Sequence, residues 1–146
     1  MTTPRRNTRQ RTLVLNAVKS SEGHPNAEEI YNQVHEEMPS ISLGTVYRNL
    51  SLLEQMGQIV RIPSEVGGDR FDGITEDHPH LVCSRCGRVF DLDCQIKKET
   101  DLVMKALEQS GQPIKKLCII AVGLCEDCQK AEQQAQQAEE SASYKK

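Results

Sequence analysis

The stretch from Arg70 to Asp91 concentrates side chains of the types that bind metal ions. It includes an aspartate near each end, a His-x-His pair and a Cys-x-x-Cys pair, namely Asp72, His78, His80, Cys83, Cys86 and Asp91. Thiolates at this spacing are typical of a closed structural zinc site, whereas imidazoles combined with carboxylates favour a harder or more reactive ion. The interleaving of both donor sets predicts two metal sites: one that stabilises the fold and one that has a functional role.

A second Cys-x-x-Cys pair completes a set of four thiolates. Cys83 and Cys86 are separated by 38 residues from Cys125 and Cys128. This gap exceeds the roughly 15 to 20 residues of compact zinc fingers, so a helix and a strand must fold out and back between the pairs. The pattern predicts a tetrahedral structural zinc site, with a thioredoxin-like redox pair and an iron–sulfur cluster as the alternatives.

The histidines and aspartates come from separate parts of the chain. His78 and His80 lie on one side of a predicted strand because side chains alternate along it, so both imidazoles can face one ion. Asp91 falls on the neighbouring strand and Asp72 at the end of a predicted hairpin. His24 lies far back in the sequence, just before a helix, and its position alone does not distinguish a ligand from an ordinary polar residue.

Three further cysteine and histidine residues lack a suitable spacing. Cys94 and Cys118 are interpreted as buried small residues, and His35 as an ordinary polar side chain. In a reducing compartment, six cysteines are typical of metal ligands or reactive thiols rather than disulfides.

The first half of the chain has the pattern of a winged helix-turn-helix. Helices are predicted over 8–18, from an Asn26 cap to Met38, and from a Ser42 cap to Gly57. Segments 58–62 and 70–72 then form a hairpin. This order of elements is typical of DNA-binding domains, with a small protein-interaction module as the alternative.

The third helix has a polar side that suits DNA. Its hydroxyls, amide and guanidinium can contact base edges and phosphates, and they belong to Thr45, Tyr47, Arg48 and Asn49. The first 20 residues carry five basic side chains and no acidic one, although the whole chain has a net charge of −3. We therefore expect Arg9 and Arg11 to contact phosphates.

The second half predicts a small α/β unit. Strands are expected over 80–83 and 88–92, a helix over 96–109 and a strand within 117–122. The Gln-, Ala- and Glu-rich tail over 129–146 is expected to form a fraying helix that passes into disorder. The fold class is α+β, with a winged-helix domain over 1–72 and a metal-binding domain over 73–146.

Composition limits the core and the compartment. Only five of the 146 residues are aromatic, so the core is aliphatic and modest, and a metal or a partner subunit is expected to stabilise it. The sequence contains neither a membrane-spanning apolar run nor a signal peptide, which predicts a cytoplasmic protein.

Several spaced motifs resemble those of the ferric uptake regulator (Fur) family, and most closely its peroxide-sensing PerR branch. They are HPNAEEIY (24–31), SLGTVYRNLSLLEQMG (42–57), RFD (70–72), DHPHLVCSRCGRVFD (77–91) and GLCEDC (123–128). The resemblance implies a homodimeric repressor that binds an inverted-repeat DNA operator, with structural Zn2+ in a C-terminal dimerisation domain.

The resemblance also implies a regulatory Fe2+ or Mn2+ site. The family's ligand positions fall on His24, Asp72, His78, His80 and Asp91. An aspartate at the last position is typical of the peroxide sensors, where glutamate is common in iron-uptake regulators. In the sensors, iron-catalysed oxidation of a ligand histidine, here His24 or His78, releases the repressor from DNA.

Two departures from the family pattern matter. Positions used by a further metal site of iron-uptake regulators hold Pro79 and Leu117, so that site is expected to be absent. The region before Thr8 is short, which leaves open whether a full first helix reaches the DNA. The alternative functions are an iron- or manganese-responsive uptake repressor without peroxide sensing, a zinc-ribbon interaction module and a metallohydrolase.

Overall fold

The computed structural model describes residues 4–144, and side chains from residue 7 onward. The helices are α1 (Pro4–Ser20), α2 (Ala27–Glu37), α3 (Leu43–Gln55), α4 (Lys97–Glu108) and α5 (Glu126–Ser143). The strands are β1 (Val60–Ile62), β2 (Arg70–Asp72), β3 (His80–Cys83), β4 (Val89–Asp91) and β5 (Ile120–Gly123). This α+β architecture confirms the predicted fold class, and α1 begins four residues before the predicted start at Thr8.

The first three helices enclose the main core. Val14, Ile30, Val46 and Leu50 are each 0% exposed there, and Phe71 from β2 closes the same cluster. The core is almost entirely aliphatic, as the low aromatic content predicted. It fixes the angle between α2 and α3, which is the arrangement that a helix-turn-helix requires.

Side-chain caps define where α2 begins. The Asn26 side chain accepts a hydrogen bond from the backbone N–H of Glu29, and the Glu29 carboxylate accepts one from the backbone N–H of Asn26. This capping box satisfies N–H groups that the first helical turn leaves without partners. It also holds the loop that carries His24 against the start of the helix.

The β1–β2 hairpin is tied to α3 by one guanidinium. Arg61 donates to Glu54 at 2.8 Å and to Ser51 at 3.3 Å, both on α3, and to Asp69 at 3.3 Å near the end of the hairpin loop. These contacts fix the hairpin relative to α3. The hairpin therefore occupies the wing position of the predicted pattern.

The second sheet has the order β4–β3–β5. Strands β3 and β4 are antiparallel, with His80 opposite Asp91, whereas β3 and β5 are parallel, with His80 opposite Ile120. Several apolar side chains of this unit are exposed, among them Leu102 and Val103 of α4 and Val122 of β5.

Helix α5 covers most of the C-terminal tail. The sequence predicts a fraying helix that passes into disorder over 129–146, and α5 extends from Glu126 to Ser143. Ala, Gln and Glu are strong helix formers, so local propensity supports the helix even though none of its residues is buried. Among the described helices, none is long and apolar enough to cross a membrane.

The hairpin loop also contacts the turn between Cys86 and β4. Ser64 donates a hydrogen bond to the Gly87 carbonyl at 3.0 Å, and a Cβ built on Gly87 would overlap the carbonyl of Val66. Gly87 has φ +76°, a conformation that side chains other than hydrogen disfavour. This position therefore requires glycine both for its backbone angle and for the approach of the loop.

Replacement of Gly87 tests this contact. We expect Gly87→Ala to destabilise the protein by more than the roughly 1–2 kcal/mol that a left-handed conformation costs a side chain. Gly57→Ala is the matched control, because Gly57 has φ +71° but nothing within 4 Å of its Cβ position. Urea unfolding of both variants measures the difference, and equal losses would show that the loop does not press on Gly87.

Candidate metal centres and nucleic-acid interface

The four predicted cysteines form one cluster. Cys83 ends β3, Cys86 follows in the turn, and Cys125 and Cys128 lie at the start of α5. Their sulfur atoms all lie within 4.8 Å of one another, and the Cys86 and Cys125 sulfurs are 3.9 Å apart. The 38-residue gap is spanned by β4, α4 and β5, which return the chain to the first pair.

The chemistry of this cluster fits a divalent cation. Burial raises the pKa of Cys83, but hydrogen bonds involving the backbone of Cys125, Cys86 and Arg85 outweigh it and lower the pKa to about 6. Burial and then the neighbouring Cys125 sulfur raise the pKa of Cys128 to about 12. Four thiolates therefore cannot form together unless a cation compensates their charge, and zinc in a tetrahedral set does so.

Two cysteines lie outside the cluster, and both were assigned wrongly to the interior. Cys94 follows β4 and Cys118 precedes β5, and both are exposed. Both residues lie in segments outside the strands, since β4 ends at Asp91 and β5 begins at Ile120.

The histidines and aspartates form a second cluster. His24 lies in the loop before α2, Asp72 ends β2, His78 precedes β3, His80 begins β3 and Asp91 ends β4. One donor atom from each residue lies within 4.8 Å of all the others. The cluster therefore joins the loop of the first helical unit to the second sheet.

Each carboxylate faces all three imidazoles. Asp72 Oδ2 lies 3.1, 3.0 and 2.9 Å from the Nε2 atoms of His24, His78 and His80. Asp91 Oδ1 lies 3.0, 2.8 and 3.3 Å from the same three nitrogens. The remaining Asp72 oxygen accepts a hydrogen bond from the Ile74 backbone N–H at 2.8 Å, which aims Oδ2 into the cluster.

Backbone carbonyls orient two of the imidazoles. The Nδ1 of His24 lies 3.0 Å from the Val89 carbonyl, and the Nδ1 of His78 lies 2.7 Å from the Glu76 carbonyl. A carbonyl only accepts, so each Nδ1 carries a hydrogen and each neutral ring turns its Nε2 lone pair toward the carboxylates. Lone pairs and carboxylates then face one another, an arrangement that requires protons or a cation between them.

The pKa values of the three histidines and of Asp72 reflect how closely the side chains of the cluster approach one another. Burial opposes charging of His24, but the Asp72 and Asp91 carboxylates outweigh it and raise the pKa of His24. Burial raises the pKa of Asp72, yet hydrogen bonds from His24 and the Ile74 N–H hold it well below its usual range. Burial lowers the pKa of His80. The residues fit a divalent ion that accepts nitrogen and oxygen donors.

One side of this cluster is open to solvent. Asp72 and His80 are each 6% exposed, whereas the Asp91 side chain is 49% exposed. The cluster therefore borders solvent on the Asp91 side.

The predicted DNA-contacting residues of α3 differ in solvent exposure and in the hydrogen bonds that they already make within the helix. Tyr47 is 47% exposed on α3, and Arg48 is also exposed but donates to the Thr45 hydroxyl at 2.9 Å. Asn49 donates to the Thr45 carbonyl, so its amide is engaged within the helix. Tyr47 and Arg48 are therefore the members of this set that project from the helix.

The two predicted phosphate-binding arginines also differ. Arg9 is exposed on α1, whereas Arg11 is half-buried and lies 3.9 Å from the sulfur of Met56 at the end of α3. Arg11 thus lies beside the C-terminal end of α3.

Three groups near the sites were missed by sequence reasoning. Arg70 donates to the His24 carbonyl at 3.2 Å and pairs with Glu29, and Arg88 contacts two cysteine sulfurs. The Val89 carbonyl orients His24. A backbone carbonyl has no sequence signal, whereas Arg70 and Arg88 lie next to recognised ligands and could have been considered.

Comparison with known proteins identifies the family of this chain. The profile described as the ferric uptake regulator family matches residues 3–115. The chain belongs to the ferric uptake regulator family. It is therefore a Fur-family metal-dependent transcriptional regulator rather than an enzyme, and its two donor clusters are consistent with a structural zinc site and a regulatory metal site.

Relatives of known function share most of the chain. The peroxide-responsive repressor PerR of Staphylococcus saprophyticus is 32% identical over 84% of this chain and 81% of its own. The peroxide operon regulator of Bacillus subtilis is 30% identical over 86% of this chain and 85% of its own. The crystal structure of the Campylobacter jejuni peroxide stress regulator is 33% identical, has a TM-score of 0.69 and covers 84% and 90% of the two chains. Within the Fur family, this chain is PerR-like.

The histidine and aspartate cluster predicts a measurable metal affinity. We expect His78→Ala to weaken Mn2+ binding by at least about 10-fold, since loss of even an outer-shell partner costs that much in metal sites. His35→Ala is the control, because His35 is exposed on α2 and contacts Tyr31 rather than the cluster. Isothermal titration with Mn2+ measures both variants. Unchanged affinity in His78→Ala would remove His78 from the ligand set.

Proposed function

We propose that this Fur-family regulator is a repressor whose DNA affinity depends on one divalent cation held by the His24, Asp72, His78, His80 and Asp91 set. The supporting observation is the short distance from His24 Nε2 to Asp91 Oδ1, 3.0 Å, because these residues belong to different halves of the chain. We assign residues 1–72 to a winged-helix DNA-binding domain and 73–146 to a dimerisation and metal-binding domain.

The physical basis is linkage between metal binding and domain arrangement. A cation that requires ligands from both domains binds only when they are joined, so binding stabilises that arrangement. At a free metal concentration 100 times Kd this amounts to about 2.7 kcal/mol, or roughly 100-fold in the equilibrium. Fe2+ and Mn2+ suit three nitrogen and two carboxylate donors. Zn2+ is assigned to the four cysteines as a structural ion.

The DNA-binding surface is proposed to centre on α3. Tyr47 and Arg48 would face the major groove beside Thr45 and Asn49, while Arg9 and Arg11 would contact phosphates. This assignment is supported by the exposure of Tyr47 and by the place of Arg11 next to the end of α3.

A homodimer is proposed to bind an inverted-repeat operator. The exposed apolar side chains of α4 and β5 support this, since a second copy would remove them from water. They are Leu102, Val103, Leu107, Ile120 and Val122. A two-fold axis between two copies would place both α3 helices on one face of the DNA.

We further infer that the protein responds to hydrogen peroxide. The roughly 30% identity to peroxide regulators and the aspartate at position 91 support this reading. Iron(II), when bound, would activate the O–O bond of hydrogen peroxide for cleavage. The chain supplies the imidazole of His24 or His78 as the two-electron reductant: one peroxide oxygen would become bonded to a ring carbon in place of its hydrogen, and the other oxygen would leave as water. An oxidised ring no longer matches the donor geometry, so the two domains separate.

The peroxide response is tested by mass spectrometry of the treated protein. We expect peroxide to add one oxygen to a peptide containing His24 or His78 in the Fe2+-loaded protein, and to abolish its operator binding. The Mn2+-loaded protein is the control and should keep both its mass and its binding. Loss of binding without histidine oxidation would contradict the proposal, and unaltered binding would favour an iron- or manganese-responsive uptake repressor with the same metal site.

The DNA surface is tested by two arginine variants. We expect Arg48→Ala to weaken operator binding by about 1–3 kcal/mol while leaving binding to random DNA nearly unchanged, because base contacts carry sequence information. Arg11→Ala should weaken both alike and flatten the salt dependence. Fluorescence anisotropy at several salt concentrations separates these effects. Equal losses on operator and random DNA for Arg48→Ala would remove it from the reading surface.

A further inference from the structure

The guanidinium of Arg88 lies against the four-cysteine cluster without being a ligand. Its Nε donates to the Cys86 sulfur at 3.4 Å, and its Nη2 lies 3.7 Å from the Cys125 sulfur. Cys86 belongs to the first Cys-x-x-Cys pair and Cys125 to the second. A single side chain therefore contacts sulfurs from both halves of the cluster.

Two further contacts hold this guanidinium in place. Nη2 donates to the Asp127 carboxylate at 3.0 Å, and the guanidinium carbon lies 5.6 Å from the centre of the Phe90 ring. Asp127 lies between the two cysteines of the second pair. The aspartate thus aims the arginine at the sulfurs from one side while the aromatic ring supports it from the other.

Charge explains why such a contact matters. Four thiolates around one divalent cation carry a net charge of about −2, which hydrogen-bond donors and a nearby cation stabilise. Hydrogen bonds from a charged guanidinium are stronger than those from neutral donors. The two N–H groups of Arg88 are placed at two of the four sulfurs, so they lower the energy of the ionised cluster.

We propose that Arg88 is a positioning residue of the four-cysteine site, which retains the metal by hydrogen-bonding one thiolate from each pair. The inference rests on the proposed structural zinc, but it does not depend on peroxide sensing or on the regulatory cation. The neighbouring Arg85 provides a natural comparison. It lies in the same turn and is exposed, but it donates to the Cys128 carbonyl oxygen at 3.4 Å rather than to a sulfur.

Zinc release from the full-length protein tests the proposal. We expect Arg88→Ala to lose zinc to an excess of chelator about 10-fold faster than wild type, the lower end of the range for outer-shell changes because the side chain is 46% exposed. Arg85→Ala removes the same charge from the same turn and should release zinc at the wild-type rate. Arg88→Lys keeps the charge but cannot reach both sulfurs with a planar fork, so an intermediate rate is expected.

Cobalt substitution separates a hydrogen bond to sulfur from a general effect on folding. Loss of a donor raises the energy of the sulfur lone pairs, so the sulfur-to-cobalt charge-transfer band of Arg88→Ala should move to lower energy. The bands of Arg85→Ala should stay at the wild-type position. A change that only loosens the fold would lower the unfolding temperature without moving the band.

The possible results distinguish this inference from the zinc assignment. Equal release rates and equal bands for the Arg88→Ala and Arg85→Ala proteins would overturn the role of Arg88 while leaving the zinc site intact. A wild-type protein that holds neither zinc nor cobalt at the cysteines would overturn both. If Arg88→Ala does not fold, the same measurements are made on Arg88→Lys. A wild-type zinc-release rate and a wild-type cobalt band in Arg88→Lys would then contradict the proposal.

Discussion

Three imidazole nitrogens and two carboxylate oxygens converge on one point of this protein, at mutual distances of 2.8–3.3 Å between nitrogen and oxygen. Carbonyls of Val89 and Glu76 hold the hydrogens of His24 and His78 on the far side of each ring. The near sides therefore present lone pairs and negative charge to one another. This arrangement is stable only with positive charge at its centre, and the proposed regulation follows because the residues come from two halves of the chain.

The β3–β4 hairpin connects this cluster to the cysteines. His80 and Asp91 face each other at one end, and Cys83 and Cys86 lie at the other, where the strands are joined. A metal that fixes the joined end also fixes the register of the strands. A slip of one residue would turn His80 away from Asp91, so the proposed structural zinc determines whether the regulatory ligands meet. The loop between β1 and β2 contacts Gly87 and so links the same turn to the N-terminal half of the chain.

Residue types and spacing predicted most helices, strands and ligand pairs of this protein, because these features depend on interactions between residues that are close in sequence. Paired cysteines, the His-x-His alternation and the Asn26 and Ser42 caps each act over a few residues, and each predicted element exists in the structure. Long-range placement was harder. The inclusion of His24 required a family resemblance, since no local pattern connects it to β3. The exposure of Cys94 and Cys118 and the contact between Gly87 and Val66 depend on tertiary packing or on backbone atoms, which sequence spacing does not reveal.

A crystal structure of the Mn2+-loaded protein, with the metal located by its anomalous scattering, tests the central claim most directly. The account predicts one manganese peak bonded at the same time to Nε2 of His24 and to Nε2 of His80, so that both halves of the chain hold a single ion. A peak bonded to His78, His80 and Asp91 with His24 remote from it would contradict the account, because the cation would then leave the arrangement of the two halves unchanged.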